Sequence, residues 1–129
     1  MSENTVKRSP VRVAVLLALH AVCGVIILYL LFKLVPEHEK IFKDFNMKLP
    51  DMTIMAINLS ALFARYWFVL VPGMSAADIA IMVALNRTGR TGLMTAWGVL
   101  VWMVEMLLIG LIMMAVMVPM NDLIMRLSK

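Results

Sequence analysis

The sequence predicts an all-α membrane protein: three transmembrane helices, with a short amphipathic helical hairpin between the first two. Three observations lead there. The chain is 63% hydrophobic and only 16% charged, where a soluble domain carries about 25% charged residues. Its mean hydropathy is +0.93, and 129 residues enclose too little interior to hide that much apolar surface from water. The apolar residues also fall into three long runs separated by polar segments, and each run can cross the roughly 30 Å hydrocarbon core.

Residues 1–12 form a basic tail with Lys7, Arg8 and Arg12. The first span covers 13–35, with no formal charge from Val13 to Phe32. A retained helix is expected rather than a cleaved signal peptide, whose apolar core would run to only about 7–15 residues before a small-x-small cleavage site. Pro36 is expected to mark the exit of this helix. Residues 36–61 are expected to form an amphipathic hairpin. Ile41, Phe42 and Phe45 give one apolar face to a short interfacial helix, Asn46 closes it, and Leu49-Pro50 turns the chain. Asp51 or Thr53 can then cap the helix that re-enters the bilayer.

The second span, 62–85, opens on Arg65 and the Tyr66-Trp67-Phe68 anchor, aromatic residues of the kind that sit at head-group level. Pro72-Gly73 is expected to kink or break it. A tight basic loop, 86–92, holds Arg87 and Arg90. The third span, 93–120, is expected to end at Pro119 and Asn121-Asp122, leaving a tail at 121–129.

The net charge of +4 and pI near 9.6 suit anionic lipid head groups, and no pattern in the chain supports nucleic-acid binding. Charge does not orient the spans. Of the 12 Lys and Arg, Lys7, Arg8, Arg12, Arg87 and Arg90 fall on one side and the remaining seven on the other.

His20, Asp78 and Glu105 each lie within a span, where an ionisable group costs about 2.5–3.5 kcal/mol or more and needs a partner or a water path. Asp78 follows Ser75 at capping-box spacing, so it is expected to cap a helix restarting after Pro72-Gly73. Glu105 shares a face with Thr95, Gly98 and Trp102, and is expected to pair with His20 or a partner subunit; His20 is expected to bond across helices as a neutral imidazole. The alternative for these three groups is a proton relay or ion site. Ala76, Ala80 and Ala84, like Ala14, Ala18 and Ala21, recur as small-xxx-small stripes that let helices approach.

No catalytic constellation is present, the 87–92 loop lacks the phosphate-binding pattern, and no cofactor is implied. The single Cys23 excludes an internal disulfide. Fourteen Met residues, with Met113 and Met117 four apart and His20 and Cys23 on one face, leave a copper channel conceivable. Methionine is, however, an ordinary apolar gap filler, and no metal site is expected.

The most specific text runs VPEHEKIFKDFNMKLPDMTIMAINLSALFARYW, residues 35–67. Its ordered Val35-Pro36, Phe42, Phe45, Leu49-Pro50-x-x-Thr53, Ser60 and Tyr66-Trp67 resemble the type II secretion system F family, inner-membrane platform proteins of type II secretion and type IV pilus machines. The resemblance implies a periplasmic hairpin, a cytoplasmic N-terminus and 87–90 loop, and a bacterial inner-membrane location. Members of that family carry helical cytoplasmic domains before the first of these spans and after the second; the tail and loop here leave no room for them, and Met52 stands where a second proline is common. The expected function is therefore a non-catalytic scaffold or accessory subunit, associating with other integral membrane subunits or itself and with the bilayer, without a soluble substrate. The rivals are a structural subunit of an unrelated membrane complex and a small ion- or metal-conducting oligomer.

Overall fold

The computed structural model describes residues 9–128; the N-terminal Lys7 and Arg8 and the C-terminal Lys129 lie outside them. The described chain is helical with short turns. Helix α1 spans Pro10–Tyr29 and passes through a π-helical turn, Leu30–Leu34, into α2, Val35–Asp44. Helix α3 spans Asp51–Arg87 and α4 spans Thr91–Leu127. The continuous rod Pro10–Asp44 and the helices α3 and α4 are the three segments long and apolar enough to cross a membrane. The all-α, three-helix architecture is thus as expected.

Two basic belts bracket the apolar part of the rod and of α3. Arg12 and Lys33 are about 31 Å apart along the rod, and Arg65 and Arg87 about 33 Å apart along α3, at 1.5 Å per residue. Both distances match the roughly 30 Å hydrocarbon core. Lys33 lies over the Tyr29 ring at 6.0 Å and Arg65 over the Tyr66 ring at 5.4 Å, pairings suited to the head-group level. Both connections close on left-handed residues. Asn46 (φ 47°) ends α2 with Asn46 N–H donating to Lys43 O and Met47 N–H to Phe42 O. Gly89 (φ 73°) ends α3 with Gly89 N–H donating to Asn86 O and Arg90 N–H to Leu85 O. Each is the bond pair of a Schellman motif.

The prolines correct several expectations. Pro36 does not end the first helix. Its ring would clash with the carbonyl one turn back, and it has no N–H to donate. The π turn widens the helix just ahead of it, so the chain passes through and the expected interfacial helix becomes the continuation α2. Phe42 is buried, but Phe45 is 52% exposed and does not join the apolar face. Helix α3 begins at Asp51, where a helix leading back into the bilayer is expected, with Pro50 rather than Asp51 or Thr53 at the cap position. Pro72-Gly73 does not break it; Pro72 lies within the helix, and the distortion falls at Tyr66 (φ −119°, ψ 15°). Pro119 is buried inside α4, which continues to Leu127.

Two carbonyls freed by these irregularities receive hydroxyl donors from α3. The Val35 N–H bonds Leu30 O, and the next donor along, at Pro36, does not exist, so Leu31 O has no helical partner. Ser60 Oγ donates to it. Pro119 likewise removes the donor for Ala115 O, and Thr53 Oγ1 donates there at 2.6 Å. Apolar packing surrounds both bonds: Ile27, Leu30, Leu31, Val35, Ile112 and Val116 form one buried cluster, while Val13, Met82 and Met94 form a second toward the Arg12 end. Thr53→Val is expected to cost about 1 kcal/mol, the scale of interhelical hydrogen bonds in membrane proteins. Ala at position 119 restores the helical donor to Ala115 O, so Thr53→Val made together with Pro119→Ala should cost measurably less than Thr53→Val relative to wild type. A double-mutant cycle of unfolding in mixed micelles checks this coupling.

Candidate functional site

Between the two apolar clusters all three spans meet at one polar node. His20 of α1 is buried. Its Nδ1 lies 2.8 Å from Asp78 Oδ2 on α3, and its Nε2–H donates to Gly98 O on α4 at 2.9 Å. Trp97 Nε1–H donates to Asp78 Oδ1 at 3.0 Å. A carbonyl only accepts, so the His20 proton on Nε2 is fixed by Gly98. A second proton is shared between Nδ1 and Asp78. Each ring nitrogen and each carboxylate oxygen therefore has a partner, and the node is a closed three-helix lock.

Several expected roles change here. Asp78 caps no helix, since it lies in mid-α3; its partners are His20 and Trp97. His20 pairs with Asp78 and Gly98 rather than with Glu105. Glu105 lies two turns beyond Gly98 on α4, and its Oε2 is buried without a hydrogen-bond partner. Gly98 is the site of close approach: a Cβ there would stand 2.9 Å from Leu16 Cδ1 and 3.0 Å from Met82 Cε. Ala76, Ala80 and Ala84 are exposed on the outer side of α3, as are Ala14, Ala18 and Ala21 on α1, so neither stripe packs the helices of this chain together.

In the hairpin, Phe42 and Thr53 are buried, Pro36, Leu49 and Pro50 are half-buried, and Tyr66 and Trp67 are exposed. Among the described residues no three of His, Cys, Asp and Glu converge as a metal site, and Met117 is 57% exposed. Sequence reasoning missed Trp97 and the hydroxyl-to-carbonyl bonds. An indole N–H within an apolar span needs an acceptor, and the prolines point to carbonyls lacking donors.

The fold and the node define a class: a small polytopic helical membrane protein whose polar groups lock its own helices together. No family model matches the chain, and no solved structure does. It is similar to the type IV pilus assembly protein PilC of Pseudomonas aeruginosa, with 32% identity over 61 residues, or 47% of this chain. The match covers 16% of that protein's length.

Asp78→Ala leaves His20 Nδ1 and the Trp97 indole without their acceptor, and should cost about 2–3 kcal/mol; Trp97→Phe removes one donor and should cost about 1 kcal/mol. Unfolding of both variants in the same detergent checks the order. Equal losses would show that Asp78 acts only through Trp97.

Proposed function

We propose that the chain is a non-catalytic scaffold or accessory subunit of the bacterial inner membrane, resembling the membrane hairpin of a pilus or secretion platform protein. The likeness to PilC carries this reading. The closed node supports a structural role, because His20 and Asp78 spend their hydrogen-bonding capacity on other helices of the same chain. In this reading the N-terminus and the Arg87–Arg90 turn are cytoplasmic, the α2–α3 hairpin is periplasmic, and Glu105 seeks a donor on a neighbouring membrane subunit.

A second reading, a conducting oligomer, draws on that same carboxylate, since a buried oxygen without a partner is what an ion or proton path would use. The two readings separate at one residue. A scaffold keeps its assembly in Glu105→Gln, which can still hydrogen-bond, and loses it several-fold in Glu105→Leu. A conductor loses flux in Glu105→Gln while the oligomer persists. Gentle-detergent purification of the tagged protein from its native host, with mass spectrometry of what co-purifies, is the direct test. Platform, pilus-ATPase or pilin-like subunits are the expected result, and a lone homo-oligomer would overturn the scaffold reading.

A further inference from the structure

We infer that the Arg12 end of the molecule holds a specific site for an anionic phospholipid, in the groove between α1 and α4. The groove has a volume of about 730 Å³ and is shallow and open: Arg12 of α1 stands at one end, with Thr91 and Thr95 of α4 beside it, and the exposed Val99, Leu100 and Met103 of α4 continue it. Its polarity is graded in one direction. Arg12 immediately precedes the apolar run of α1, and Arg90 immediately precedes Thr91, so the mouth lies at the basic belt. From Thr91 to Met103 the groove follows α4 for about 18 Å at 1.5 Å per residue, slightly more than one leaflet's half of the roughly 30 Å hydrocarbon core. It is therefore as long as the acyl chain of a lipid whose head group lies at Arg12.

Charge names the kind of lipid. Arg12, Arg87 and Arg90 gather at this end, and among the described residues the ion pairs, His20–Asp78 and Lys43–Glu39, involve none of them. A phosphate diester with no compensating ammonium, as in phosphatidylglycerol, complements that cluster; a zwitterionic head group brings its own cation. At the opposite belt Lys33 and Arg65 each lie over an aromatic ring.

The test is native mass spectrometry of the purified full chain, titrated with phosphatidylglycerol and with phosphatidylcholine of the same acyl length. The wild type should retain phosphatidylglycerol preferentially. Arg12→Gln should reduce that preference about five-fold, the factor corresponding to about 1 kcal/mol per basic residue at an anionic surface. Arg12→Lys should keep most of it. Ala96→Phe fills the groove while leaving every charge in place, and should lose retention while keeping wild-type unfolding in detergent; if that variant unfolds, Leu100→Phe replaces it. Arg126→Gln, near the far end of α4, should change nothing. Undiminished preference in both Arg12→Gln and the groove-filled variant would overturn the site. So would an equal loss in Arg126→Gln, which would reduce the effect to diffuse surface charge.

Discussion

A buried backbone carbonyl must have a donor, and the architecture follows from how this chain meets that requirement around its prolines. A proline within a helix takes away the N–H that the carbonyl one turn earlier would have used. At Pro119 the freed group is Ala115 O, and at Pro36 the combination of proline and π turn frees Leu31 O. Both would be costly inside a packed bundle if left bare. Helix α3 supplies a hydroxyl to each, from Thr53 and Ser60, on the face that also buries Ala56. These two bonds hold the first half of α3 between the rod and α4. Pro72 is handled differently. It faces outward, and α3 bends at Tyr66 beside the Arg65 belt, where the exposed face makes no demand on the bundle.

The second half of α3 is held by the node. His20, Asp78, Trp97 and the Gly98 carbonyl form a short polar layer between two apolar ones. Its specificity comes from directionality: apolar side chains can slide along a neighbouring helix, whereas the His20 ring must meet an acceptor on each side at a fixed height. Gly98 makes this possible, since a larger residue would push Leu16 and Met82 outward and lift the α4 carbonyl away from the imidazole. Hydroxyl bonds at one end and the node toward the other fix the register of α3 along its length.

Much of this was legible in the sequence. Hydropathy located the spans, and the rarity of charge within them singled out His20 and Asp78, which do meet. The Asp78 cap and a His20–Glu105 pair do not form, for a physical reason. Periodicity places a residue on a face of its own helix but says nothing of the relative height of two helices, so it points Asp78 to a local cap and leaves Glu105 with His20 or a partner subunit, of which His20 is already engaged by Asp78 and Gly98. Pro36 and Pro119 do not end their helices and Pro72 does not break α3, because the tertiary donors, the π turn and the bend at Tyr66 absorb the local cost of proline. The Leu49-Pro50-x-x-Thr53 and Ser60 pattern carried the resemblance to platform proteins, and here those hydroxyls bond to carbonyls that have lost their helical donors.

The distribution of polarity on α3 bears on how the protein associates with others. Its inward face carries Thr53, Ser60 and Asp78, all engaged within the chain. The outward face carries Ala76, Ala80 and Ala84, and only 6% of the most apolar window of α3 is buried. A helix arranged this way has little directional bonding to offer a neighbour along its small-residue stripe. A neighbour meeting that stripe would have to rely on close packing, which tolerates many sequences but rejects bulk. Glu105 on α4 differs, keeping a buried carboxylate oxygen without a donor two turns from the node.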